Sequence, residues 1–132
     1  MTAATIDLFA SALLFHPDGD VHAAERQMSG SESDAWQIAT FRVKTDADVH
    51  ADHWEMHPEA DEAVCCLAGG ARLYFRSTAG SDAPDEMVRL AAGTAVIVPR
   101  GRWHRLELDG PSDLMSVTFR RGTRLEKRTD AR

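Results

Sequence analysis

From Trp36 onward, apolar and polar residues alternate in short runs separated by Gly, Pro and Asp, which is the period of strands rather than helices. Residues 36–44 set Ile38, Phe41 and Val43 among polar neighbours and predict the first clear strand. Asp46-Ala47-Asp48 interrupts it, and residues 49–57 and 62–67 predict two more, the latter closed by Gly69-Gly70. In residues 71–76, Leu73 and Phe75 face one way, with Arg72, Tyr74 and Arg76 the other. Strands are also predicted at 87–90, 94–98, 103–108 and 114–119, after a loop at 80–85. Before Trp36 the pattern is looser. Ile6, Phe9, Leu13 and Leu14 predict a short helix or an extended arm over residues 5–15. His16-Pro17-Asp18-Gly19-Asp20 is a turn, residues 21–28 fit neither period, and residues 29–34 form a loop. Eight short strands predict an all-β fold, an antiparallel β-jelly-roll barrel with a short N-terminal arm or helix. The division is an arm and loop at 1–35, a barrel at 36–119 and a basic tail at 120–132. Trp36, Phe41, Phe75, Met115 and Phe119 are assigned to the core.

Size and composition agree with one domain: 132 residues, 43% hydrophobic and 27% charged. No apolar run approaches the roughly 20 residues of a membrane-spanning helix, so no membrane partner is expected. Asp7 and the lack of basic residues before it are unlike a secretory leader, and a cytoplasmic location is expected. The net charge of −6 is unevenly spread. Six basic residues stand against two acids after Phe119, so the rest of the chain is more acidic than the whole. An acidic body argues against a nucleic-acid partner. The basic tail has no aromatic residue and reads as a solvated end, or as a contact to an acidic neighbouring subunit. Cys65 and Cys66 are adjacent, point to opposite faces of a strand and suit small buried hydrophobes in a reducing compartment.

Chemistry concentrates between His53 and Gly69. His53, Glu55 and His57 share one face of an extended chain. At strand spacing, Glu55 and His57 lie roughly 7 Å apart and can lean onto one ion, whereas His53 and His57 would be roughly 13 Å apart. His53 and His50 are therefore read as surface residues and Asp61 as turn chemistry. Glu62 opens the next apolar run. Farther on, an apolar strand enters the turn Pro99-Arg100-Gly101, and His104 sits at the start of the returning strand, where a closed barrel can bring it opposite the first cluster.

These two stretches resemble the cupin superfamily, whose motifs read G-x5-H-x-H-x3–4-E-x6-G and G-x5-P-x-G-x2-H-x3-N. Glu55-Met56-His57, Glu62 and Gly69 keep the first spacing, and Gly93, Pro99, Gly101 and His104 keep the second. Three positions depart: Glu55 stands for the first histidine, Leu108 for the closing asparagine, and Val49 for the opening glycine. Carried over position by position, the resemblance implies a ligand set of Glu55, His57, Glu62 and His104. Two imidazoles and two carboxylates would suit Fe²⁺, Mn²⁺, Zn²⁺ or Ni²⁺. Val64, Cys66, Leu106 and Leu108 would make the surrounding pocket largely apolar, fit for a small organic ligand. The resemblance further implies a homodimer. It leaves three functions open: a metal-dependent enzyme such as a non-haem dioxygenase or an isomerase, a non-catalytic small-molecule binder or sensor with or without metal, and a metal-free barrel with His104 as general base.

Overall fold

Two antiparallel sheets face each other across one apolar interior in the computed structural model, which describes residues 3–27, 31–77 and 82–129. Ser29 and Gly30 of one predicted loop, Gly80 and Ser81 of another, Met28, and Asp130 and Arg132 of the tail lie outside the described residues. The strands are β1 (Ala12–Phe15), β2 (Val21–Ala24), β3 (Trp36–Val43), β4 (His53–Met56), β5 (Glu62–Ala68), β6 (Gly70–Phe75), β7 (Glu86–Ala91), β8 (Thr94–Val98), β9 (His104–Leu108), β10 (Ser112–Phe119) and β11 (Arg124–Lys127). One sheet runs β2-β1-β3-β10-β5-β8 and the other β11-β4-β9-β6-β7. This is the predicted jelly roll, with three strands more than the eight expected.

The additions lie at the ends of the chain. Residues 12–24 form the hairpin β1–β2, which extends the larger sheet through β3, so the predicted segment ends in extended chain and no helix is found there among the described residues. Part of the segment read as a solvated tail is β11, paired with β4 from Arg124↔Met56 to Lys127↔His53. The strand predicted over 49–57 is only His53–Met56. A 3₁₀ turn at Asp46–Val49, in which the Asp48 carboxylate accepts the backbone N–H groups of Lys44 and Thr45, runs into a further turn over residues 50–52 and delays the strand. Such local side-chain bonds compete with the sheet ladder.

Strand alternation sorts residues to two faces. Leu73, Phe75, Val64, Cys66, Leu90, Val98, Leu108 and Leu114 belong to the buried core. Trp36 pairs with Phe119 on the outward face of the larger sheet, their rings 5.7 Å apart, and Trp36 remains 39% exposed. Of the five residues assigned to the core, Phe75 is buried, while Phe41, Met115 and Phe119 are half-buried. A sheet has two faces, and period two does not say which one meets the opposite sheet.

The inward rows change character along the barrel. β5 carries Glu62, Val64 and Cys66; β9 carries His104, Leu106 and Leu108; β10 carries Thr118, Ser116 and Leu114. Each row is polar at one end and apolar at the other. The apolar ends make the floor, and the polar ends meet at one mouth.

Candidate metal centre

β4 and β9 place Glu55 and His104 directly opposite each other, so their side chains emerge on one face. His57 follows just past β4 on the same side, and its backbone carbonyl accepts the Gly101 N–H at 2.9 Å. Gly101 holds that turn at φ +81°, a conformation that suits glycine. The Pro-Gly turn thereby ties the second motif to the first. Glu62 opens β5 and reaches the same space.

The four side chains each present one donor atom, all within 4.8 Å of one another. His57 Nε2 lies 3.2 Å from both Glu55 Oε1 and Glu62 Oε1. His104 Nε2 lies 3.1 Å from Glu62 Oε1 and 3.6 Å from Glu55 Oε1. Neighbouring donors on one ion at about 2.1 Å bond length sit roughly 3 Å apart, so these separations suit a shared ion. Despite the short distances, His57 Nε2 and Glu62 Oε1 are buried without a hydrogen-bond partner. Buried polar atoms are rarely left so. The donors converge on a common point instead of pairing off.

The outward atoms are all held. His57 Nδ1 lies 2.8 Å from Thr123 Oγ1, which turns Nε2 toward the cluster. The Thr118 hydroxyl donates to Glu62 Oε2 at 2.6 Å. The Arg120 guanidinium donates to Glu55 Oε2 at 2.8 Å. His104 Nδ1 is 3.4 Å from the Arg102 carbonyl.

Electrostatics follow this packing. Burial opposes charge on Glu62, but the adjoining His104 and His57 rings outweigh it and hold the carboxyl down at about 2. Burial also opposes charge on Glu55, yet the His104 and His57 contacts and the Arg120 charge keep it well below the usual range. His104 is the mirror case: burial lowers it, and the Glu55 and Glu62 carboxylates more than reverse that, raising it to about 10. His57 is raised by the same pair against its own burial.

All four residues expected from the motifs therefore come together. His53 does not join them; its Nδ1 pairs with Asp52 at 2.9 Å. Asp61 accepts the Arg100 backbone N–H, as turn chemistry would have it. A cavity of about 160 Å³ opens beside the cluster. Val64 and Leu106 line it, but Cys66 and Leu108 sit lower in the core, and Gln27, Gln37, Ser116 and Arg120 also form its wall. The pocket is largely apolar, as expected, with Phe41, Val43 and Leu114 adding to its walls, and its polar groups gather at the end where the barrel's inward rows turn polar. Arg120, read with the solvated tail, is 7% exposed. Thr118, Arg120 and Thr123 were not among the residues that the sequence placed at the site. The available signal was the alternation Ser116, Thr118, Arg120, which carries the inward row of β10 past its last strand residue.

The sequence model of the cupin domain family matches residues 39–119. Among solved structures, a cupin superfamily protein from Desulfitobacterium hafniense superposes with a TM-score of 0.50 at 22% identity, over 74% of this chain and 82% of that one. Fe(II) HppE in complex with substrate superposes with a TM-score of 0.50 at 18% identity, over 64% of this chain. The match spans 45% of the HppE chain, less than half its length. A cupin-2 domain protein from Shewanella frigidimarina gives 0.47 at 19% identity, over 78% of this chain and 85% of that one. At these identities the likeness is one of fold. No curated protein matches the chain in sequence.

Proposed function

This chain belongs to the cupin family, and on that premise we propose that it binds a divalent transition metal through Glu55, His57, Glu62 and His104, with a small organic molecule in the adjoining cavity. One observation carries the reading: the buried His57 Nε2 and Glu62 Oε1 lack hydrogen-bond partners while four donor atoms gather within 4.8 Å. A bound ion would satisfy both. It would supply Lewis acidity or oxygen activation to a molecule beside it, and Fe²⁺, Mn²⁺, Zn²⁺ and Ni²⁺ all accept such donors.

The chain's own residues supply the rest. Thr123 fixes the His57 ring, Thr118 orients Glu62, and Arg120 turns one Glu55 oxygen away from the cluster. Val64 and Leu106 wall one side of the cavity and exclude water there. On this reading the enzyme forms are a non-haem metal dioxygenase and a metal-dependent isomerase.

A second reading, a binding or sensing cupin without metal, is favoured by the Glu55–Arg120 ion pair, which satisfies one carboxylate oxygen with no ion. The reading of His104 as a general base is disfavoured. An imidazole held up at about 10 already carries its proton at neutral pH.

Elemental analysis of protein purified without added metal tests the proposal. Near-stoichiometric transition metal, lost in Glu55→Ala and in His104→Ala, is the expected result. No metal after reconstitution would leave the metal-free reading. Oxygen uptake by the iron-loaded protein, across small diketones, thiols and catechols, then separates dioxygenase from binder.

A further inference from the structure

Arg120 ends the inward row of β10, where Ser116 and Thr118 precede it on the same face. Its guanidinium spends one N–H on Glu55 Oε2 at 2.8 Å, and its Nε is buried without a hydrogen-bond partner. It lines the same cavity as Glu55, Glu62 and His104. Burial of an unbalanced charge is costly, so the charge of this end of the barrel decides what the cavity accepts. With an ion in place the two imidazoles are neutral. Two carboxylates against a divalent ion and one guanidinium leave a single positive charge in excess. Without Arg120 the same set would be neutral. Asp48 also lines the cavity, but its carboxylate sits exposed at the rim, held by the Lys44 and Thr45 N–H groups, where water screens it.

We infer that Arg120, by leaving the ion-loaded site one positive charge in excess, selects a small organic monoanion as the ligand of the cavity. The inference rests on the metal reading above. A carboxylate-bearing molecule would bring the buried site to neutrality and would lie against the Arg120 side chain that lines the cavity. The volume, about 160 Å³, is near that of an engineered cavity of roughly 150 Å³ that admits benzene. Arg120 is thus a specificity-determining residue, and Glu55 stands in the histidine position as a carboxylate that Arg120 half neutralises.

The test uses Co²⁺-loaded full-length protein, whose visible absorption reports both the ion and its neighbours, titrated with acetate and with its neutral isostere acetamide. The expected result is acetate binding at least tenfold tighter than acetamide. Arg120→Met, titrated as fully Co²⁺-loaded protein, should lose acetate affinity tenfold or more, and Arg120→Lys should recover it to within a few-fold. Glu55→Gln should weaken Co²⁺ yet tighten acetate, because it adds a further net positive charge. Equal binding of acetate and acetamide, or an Arg120→Met protein that holds acetate as before, overturns the inference while the metal reading stands. If Arg120→Met fails to fold, the Glu55→Gln arm decides: weaker acetate binding there overturns it. Absence of Co²⁺ uptake by the unmodified protein overturns the metal reading itself, and this inference with it.

Discussion

Thr123 governs which nitrogen of His57 faces the cluster. Its hydroxyl lies 2.8 Å from Nδ1, and both residues are buried. Partners of this kind typically change metal affinity ten- to a hundredfold when removed. Thr123→Val is therefore expected to weaken Zn²⁺ binding by about that factor in a chelator competition titration, and Thr123→Ser to retain it. His104 and Glu62 govern the behaviour of the ion-free protein. His104 is raised from its ordinary 6.5 to about 10, so its stabilising contribution is full below 6.5 and vanishes as pH rises through about 10. Glu62 is lowered from 4.5 to about 2, so its contribution is present above 4.5 and vanishes as pH falls through about 2. Both are in force between 4.5 and 6.5. Thermal melts in EDTA should give the highest Tm in that window and a decline toward pH 10. In His104→Gln the alkaline decline should largely disappear; its persistence unchanged would show that other groups cause it.

At the scale of elements, the link between β10 and β11 acts as a strap across the ligand loop. Four consecutive residues bear on the stretch from Glu55, at the end of β4, to Glu59. Arg120 bonds Glu55, Arg121 forms a two-pronged pair with Glu59, Gly122 packs on Pro58, and Thr123 meets His57. Gly122 adopts φ +76°, and a Cβ there would stand 3.0 Å from Pro58 Cγ. A left-handed conformation costs a residue with a side chain roughly 1–2 kcal/mol. Gly122→Ala should destabilise the fold by about that amount in urea unfolding and reduce Zn²⁺ affinity as well, since the strap cannot shift without moving Thr123. β11 then seals the outer edge of β4. Glu126→Pro, which removes a donor from that ladder, is expected to raise amide exchange in β4 and to impair metal binding together. Faster exchange with intact metal binding would show that the strap works independently of the strand.

At the scale of the molecule, the interior and the outer face of the larger sheet make different demands. Leu73 is fully buried at the centre of the core, and Leu73→Ala should cost about 2–5 kcal/mol, seen as a lower urea midpoint. The outer face exposes Val21 of β2, Phe15 of β1, Trp36 of β3, Leu67 of β5 and Ile97 of β8. These side chains share the outward face of one sheet, and apolar residues gathered on one exposed face mark interaction sites. The homodimer implied by the resemblance is here proposed to bury this face against a second copy. Sedimentation should show a dimer, and Ile97→Lys with Trp36→Lys should yield monomers that keep the fold by circular dichroism. A monomeric unmodified protein would reject the proposal.

The chain's own order of residues determined the strands of the barrel, and its resemblance to the cupin motifs implied the four ligand candidates. Alternation with period two and the spacing of Glu55, His57, Glu62, Gly101 and His104 are local properties, written in consecutive residues. The hairpin of residues 12–24 was less legible, because its strands are only four residues each, too short to separate the two periods. What the tertiary structure alone decided is how residues far apart in sequence bear on those ligands. Arg120 reaches Glu55 across 65 positions, Thr123 reaches His57 across 66, and Thr118 reaches Glu62 across 56. A basic residue near the end of a chain looks the same whether it meets water or a buried carboxylate. The difference arises when β10 crosses the interior and delivers Arg120 to the barrel's polar mouth, where desolvation makes its charge count.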